Sequence, residues 1–538
     1  MSVALAARDR ITGLLAEGIY DNPVIIREFR TRMRGLKAFM VMGGYVLFLS
    51  AVSFIGYIVT WNEYAGQGQA MSLVNRNIGM QLFMWLSWTQ GILLSLIIPS
   101  LTSGSVTQEL EHKTIEMLAL TRMTPGKIAL GKQLSGMLYS MVLLVSSLPI
   151  AAMCLMFGGI SPAEIALSYV VLAAWCFLLT TIGVFWSSLF NRTASAALFA
   201  YGHTALYFLL TLMLGMIFLE SYQARPHALS AMNPAVAPYC VMMRADVCGM
   251  KVPVALAAVI MHVAMGLLFL MVATTHIRFL RATRALPVKL LAIGISAFAL
   301  WLFAGDTYAT GFATARGYAA DLMLGYAISV LIFVSLHATV FATGEPKAPE
   351  DRSLGYYALS FTKAFSGDLG GGIAFMMLWS AVLCAVLGGT LFWASKAGHF
   401  AVKVSDWTGW WHAAVAIVAI VGGLSAIGVL ASALTTLRRN AAALVLLIAI
   451  VLFAGYGIVM AYYVDGVSDT SGPVWQLAAL WPFHPLVASL GEWKHMPKLW
   501  WTPEDAWIVC SIAYLGVGAA ALAFATGARR RCGGVKED

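Results

Sequence analysis

Charge is what this sequence has least of. Asp, Glu, Lys and Arg make up 11% of its 538 residues, against about 25% in soluble domains. That scarcity excludes an ordinary water-soluble globule. Charges are rare in the apolar runs, and no Asp or Glu falls near the middle of one. A charge at the centre of a spanning helix costs ~2.5–3.5 kcal/mol, so those that persist there carry function. Their absence argues against a secondary transporter driven by protons or sodium. Paired aspartates and His-rich clusters are also missing, which argues against a polytopic membrane enzyme. No Cys/His spacing of a metal site occurs, so no metal is expected. Residues 1–37 hold no uninterrupted apolar core, so no cleavable signal peptide is expected.

Cysteine is scarce too, at seven residues. Cys154, Cys176, Cys384 and Cys510 fall inside apolar runs and read as small apolar residues. Cys532 lies in the tail. Cys240 and Cys248 share the loop 220–252, where a disulfide would be worth roughly 2.5 kcal/mol. Sequence spacing leaves the bridge and the free thiols equally open.

What the chain has in abundance is apolar length. It is 60% hydrophobic with a mean hydropathy of +0.80, and a spanning helix needs ~20 mostly apolar residues. Twelve runs qualify: 38–60, 80–104, 134–158, 164–190, 193–219, 253–275, 288–304, 318–343, 371–394, 412–435, 441–463 and 505–527. The expected fold is an all-α polytopic membrane protein of about twelve transmembrane helices. With both termini inside, 25 of the 34 Lys and Arg fall on inner segments. The positive-inside rule favours that orientation, so the net charge of +9 reports topology and a surface for membrane lipids or a partner. No nucleic acid is expected.

The runs also look duplicated at an offset near 250 residues. Pro234 and Pro485 occupy matching outer segments, and Pro253 and Pro503 each precede a last span. The chain divides accordingly into an N-terminal segment 1–37, a six-helix half 38–275, a linker 276–287, a six-helix half 288–527 and a tail 528–538. Two six-span halves would be parallel repeats about the membrane normal. The outer segment "MNPAVAPYC" reads either as a short re-entrant helix or as a plain loop. Trp407, Trp410, Trp411, Trp475, Trp481, Trp500 and Trp501 cluster near outer boundaries, as an aromatic belt would.

The N-terminal "DNPVIIREFRTRMRGLKAF" has Asn22 as an N-cap and Pro23 at the first helical position. Val24, Ile25, Phe29, Met33 and Leu36 can form an apolar stripe against Arg27, Arg30, Arg34 and Lys37. The segment reads as an amphipathic helix on the inner leaflet. Further on, "GKIALGKQ" has the G-x-x-x-x-G-K spacing of a phosphate loop in Gly126, Gly131 and Lys132. Such a loop follows a buried strand and ends in Ser or Thr, whose hydroxyl binds Mg²⁺. Here the next residue is Gln133 and no strand precedes, so this chain is not expected to bind ATP.

The inner loop around it, "SGSVTQELEHKTIEMLALTRMTPGKIALGKQLSG", predicts a short amphipathic helix to about Leu120. Ser105 and Gln108 suggest a capping box. Leu110, Thr114, Met117 and Leu118 would share one face. Glu109, Lys113 and Glu116 would form an exposed polar one, with Glu109–Lys113 an i,i+4 pair. The loop resembles that of type-2 ATP-binding-cassette (ABC) exporter permeases, whose motif runs E-x-E-x-G-T-L-E-x-L-x-x-T-P-x-S, then I-x-x-G-K. Glu109, Glu111, Thr114, Ile115, Glu116, Leu118, Thr121, Thr124, Ile128, Gly131 and Lys132 match it. Lys113 stands where the family usually has Gly, and Arg122 where it usually has Pro. The N-terminal segment resembles the family's elbow helix in Asn22, Pro23, Glu28 and Arg30. The resemblance covers about residues 20–275 and beyond them is only topological.

The resemblance implies a coupling helix at about 107–120, seated on a separate nucleotide-binding subunit in two copies. Glu109, Glu111, Lys113, Thr114, Glu116 and Thr121 would be its partner-coupling residues. ATP and Mg²⁺ would be bound by that partner, and this chain would carry no cofactor and no catalytic residue. The setting implied is the multi-pass plasma (inner) membrane of a bacterium, with both termini cytoplasmic. Candidates to line a pathway are Trp85, Trp88, Tyr201, Tyr207 and Glu220, with His203. His203, His262 and His337 read more simply as hydrogen-bonded core histidines. Residues Ser353–Phe365 in the second inner loop form a degenerate counterpart. One fused permease, or a permease with a second copy, would satisfy the pattern. An ABC-like membrane scaffold, or a polytopic membrane enzyme, without transport activity is the alternative function.

Overall fold

The computed structural model describes residues 22–65, 71–114, 123–221, 227–247, 250–276, 285–309, 372–396, 408–434, 444, 447–448 and 506–532. Two compact units divide at Ala282 and Thr283. The expected spans 318–343 and most of 441–463 lie outside the described residues, as do His337 and the second inner loop. Seven described helices are long and apolar enough to cross a membrane.

In the first unit, α1 (Pro23–Met33) is capped by Asn22, with Pro23 at its start. A bend at Gly35, with φ +99°, leads into α2 (Leu36–Ala65). Then come α3 (Met71–Thr102), the short α4 (Thr107–Glu111) and α5 (Pro125–Phe157). Helices α6 (Pro162–Leu189) and α7 (Thr193–Ser221) follow. A 3₁₀ turn (Ser230–Met232) and α8 (Ala237–Cys240) precede a hairpin of β1 (Arg244–Val247) and β2 (Met250–Pro253). Helix α9 (Val254–His276) closes the unit.

Local chemistry sets the helix starts. Thr124 and Ser161 are N-caps, each followed by Pro at the first position. Ser161 and Glu164 complete a reciprocal capping box. Gly158 and Gly159, at φ +84° and +85°, turn the chain from α5 into α6. Helix α5 begins nine residues before the expected span, so Gly126 to Gln133 are all helical. No phosphate loop forms there.

The core lies where α6 meets α3 and α9. Trp175 stacks on Tyr207 and meets His262 edge-on, while Trp186 packs with Phe199 and His203. Two helices approach closely at Gly183, where any Cβ would overlap Thr102. Helix α2 sits outside this core, with only 17% of its apolar window buried.

The second unit contains α10 (Ala285–Ala309), α11 (Gly372–Lys396), α12 (Thr408–Leu434) and α13 (Ala506–Cys532). Small residues bring α12 and α13 together: a Cβ on Gly423 would lie 2.7 Å from the Tyr514 carbonyl oxygen. In membranes such close backbone approach substitutes for a hydrophobic driving force. Each unit therefore joins its fourth expected span intimately to its last, α6 with α9 and α12 with α13.

Candidate coupling surface

Lys132 organises the end of the first unit that carries α1. Its side chain is fully buried, and an ammonium placed there needs partners for its charge and its three protons. It has them. Nζ lies 3.0 Å from Glu28 Oε1, 2.9 Å from Glu109 Oε1 and 2.6 Å from the Ser105 carbonyl oxygen. One cation thus ties α1, α4 and the segment before α4 to α5.

Neighbouring contacts reinforce the knot. The Asn22 amide donates to the Lys127 carbonyl at 2.7 Å while its Oδ1 accepts from Val24 N–H. A Cβ on Gly131 would come within 3.0 Å of both Asn22 and Val24, so glycine lets α1 lie against α5. Arg32 donates to the Leu101 carbonyl at 2.7 Å, in the last turn of α3, and lies 3.9 Å from Glu28. A cation there complements the orphan carbonyls and the negative helix end. Burial pushes the Arg32 guanidinium below its ordinary range, with Glu28 and Tyr139 opposing.

The loop is held from the other side as well. Ser187 Oγ, near the end of α6, accepts from Val106 and Thr107 N–H at 2.8 and 3.1 Å. The Glu111 carboxylate accepts from Thr193 N–H at 2.8 Å and from its hydroxyl at 3.1 Å, capping α7. Six helices, α1 and α3 to α7, therefore meet at α4.

These contacts revise the expected coupling helix. The Ser105–Gln108 capping box is absent: α4 has no side-chain cap, and Ser105 Oγ has no partner. The helix stops at Glu111 rather than continuing toward Leu120. His112 is the C-cap, Lys113 takes the left-handed φ of +56°, and two bonds close the end. Lys113 N–H reaches the Leu110 carbonyl and Thr114 N–H the Glu109 carbonyl, the 5→2 and 6→1 pattern of a Schellman motif. A left-handed residue is why glycine is usual at this place in the resembling loops. Glu109 and Lys113 form no i,i+4 pair, because Lys113 lies beyond the helix and Glu109 turns inward.

Of the expected coupling residues, Glu109 and Glu111 thus serve the protein's own knot. Lys113 and Thr114 are exposed beside Gln108 and His112. Glu116 and Thr121 lie outside the described residues. In the elbow, Asn22 and Glu28 join the knot, Pro23 starts α1, and Arg30 is exposed. The elbow is docked on α5 through buried Val24 and Ile25, not merely laid along its flank.

The segment before the hairpin folds back into the helical body of the first unit. Asn233 donates to the Phe208 carbonyl at 2.8 Å and to Thr211 at 3.0 Å, both midway along α7. Pro234 fills the space beside Gly91 within α3. Irregular backbone at membrane depth is tolerated where protein buries it, and residues 230–237 are all buried. Cys240 there is buried, and its candidate disulfide partner Cys248 lies outside the described residues.

Trp85 is 42% exposed and packs over Gly56. Trp88 is half-buried. The Tyr201 hydroxyl donates to the Leu96 carbonyl, and Tyr207 stacks in the core. His203 accepts from Trp186 Nε1 at 3.2 Å, and His262 pairs with the Met232 carbonyl at 2.9 Å. The Glu220 side chain lies outside the description.

Fold and site together define a polytopic helical membrane protein whose first unit carries a polar knot where six of its helices meet. Residues 61–275 match the family model described as ABC-2 family transporter protein. That part of the chain is thus similar to the membrane component of ABC-2 type transporters. A comparison with curated proteins finds no match.

Proposed function

We propose that this chain is the permease subunit of an ABC exporter. It moves its substrate using ATP hydrolysed by separate nucleotide-binding subunits, two copies per transporter, docked from the cytoplasm. The observation that carries this reading is the Lys132 knot. A push on the exposed turn at His112 to Thr114 is delivered at once to α1 and to the ends of α3, α5, α6 and α7. A loose loop would absorb that displacement. Both termini are cytoplasmic in this reading, ATP and Mg²⁺ stay on the partner, and the inner membrane of a bacterium is the setting. The fused two-unit chain supplies a full permease, with its second half making the weaker contact.

The test reverses charge only where the surface is exposed. Lys113→Glu with His112→Glu should abolish association with the ATPase subunit while the thermal midpoint of the permease stays within a few degrees. Unchanged association would remove this turn from the coupling surface.

A further inference from the structure

We infer that Tyr45 and Gln90 form a polar latch between α2 and the rest of the first unit, open as described and closed by a small movement of α2. The pair lies at mid-membrane depth. Gln90 on α3 and Ser147 on α5 each stand eleven residues, about 16 Å of helix, from the contact of Gly79 with Gly158 at the end of α5. That is half the thickness of a bilayer core. Polar groups buried there are costly unless they satisfy one another.

The protons of this cluster can be followed one by one. Gln90 Nε2 donates to Ser147 Oγ at 2.6 Å and to the Tyr169 hydroxyl at 3.1 Å, which uses both its hydrogens. Ser147 donates to the Leu144 carbonyl at 2.7 Å, so Tyr169 is the donor in its 2.9 Å bond to Ser147. These bonds tie α3, α5 and α6 together and leave one acceptor and one donor over. Gln90 Oε1 is buried with no hydrogen-bond partner. Tyr45, 2% exposed on α2, lies beside Ser147 and Gln90 yet outside hydrogen-bond geometry with either. Each group is what the other lacks.

Helix α2 is the element able to move. Its buried residues Tyr45, Leu49, Gly56 and Thr60 lie along one seam, while Leu47 and Phe54 are 72% and 65% exposed. Among the described residues no side-chain hydrogen bond joins α2 to the helices beside it; the Thr60 hydroxyl turns back to the Gly56 carbonyl of α2 itself. An apolar seam tolerates small slips, whereas a hydrogen bond in a low-dielectric interior fixes a distance. Packing along the seam holds the described position and the unpaired groups favour the closed one, so two discrete positions of α2 compete. Through the bend at Gly35 the choice passes to α1 and to Glu28 of the knot. The inference concerns this unit by itself and does not depend on an ATPase partner.

The test uses the full chain with ¹³C-labelled glutamine, in lipid vesicles frozen so that the two positions do not interconvert, examined by solid-state NMR. An amide carbonyl carbon that accepts a hydrogen bond resonates downfield of one that does not. Gln90 should give both signals, identified by their loss in Gln90→Met; should that variant fail to fold, the difference between parent and Tyr45→Phe isolates the same signal. Tyr45→Phe, which removes one oxygen and no packing, should abolish the downfield signal and leave the other. Tyr57→Phe, elsewhere on α2, should leave both. A single signal that Tyr45→Phe does not move would overturn the inference. So would a single downfield signal that Tyr45→Phe abolishes, since the bond would then be permanent. Two signals that both survive Tyr45→Phe would give the acceptor to water and overturn it as well.

Discussion

At the scale of the residue, Lys132 carries the most consequence. Lys132→Met would leave two largely buried carboxylates facing each other, and breaking a buried pair costs about 3–5 kcal/mol. A marked drop in the thermal midpoint is expected in detergent, and adding Glu28→Gln and Glu109→Gln should recover most of it. A single-variant midpoint equal to the parent's would contradict the knot. Lys113→Gly should stabilise by about 1 kcal/mol, because the left-handed conformation strains a residue with a Cβ. Gly126→Ala, with open space around it, should be harmless where Gly183→Val is not. The sequence made Gly131 and Lys132 visible as a pair but not their role. A lysine on an apolar helix announces that it needs partners, yet Glu28 lies over a hundred positions away. Glu109 was misplaced for the same reason: helical periodicity tells which residues share a face, not which face the protein turns inward.

At the scale of the element, the apolar runs were legible because a bilayer demands length and composition that nothing else in the chain imitates. Pro–cap pairs at Asn22, Thr124 and Ser161 mark helix starts in the letters themselves. The end of α4 was not legible, since Lys113 gives no sign that it will adopt φ +56°. The sequence leaves the segment before the hairpin open between helix and loop because its backbone is satisfied by Asn233 reaching α7, a partner periodicity cannot show. Asn233→Ala should cost about 1–3 kcal/mol by leaving the Thr211 region and its own turn unpaired. Cysteine accessibility from the hairpin side should then rise at positions 230–237; unchanged protection would mean that the segment is held by packing alone.

At the scale of the whole molecule, the duplication read from proline spacing has a structural echo in the matched α6–α9 and α12–α13 pairings. Substituting Gly423 by Leu should separate α12 from α13 and lower the stability of the second unit, read as early protease cleavage there. The family match spans the first unit's helices beyond residue 61 and stops at the linker, so the second unit's part in transport rests on this internal likeness. The central claim, that this chain is a permease working through a separate ATPase, is tested most directly by purifying the tagged chain from its native membrane in mild detergent and identifying its companions. Recovery of a nucleotide-binding subunit at two copies per chain is the predicted result. A chain that emerges with no ATPase, under conditions that keep known complexes intact, would contradict it.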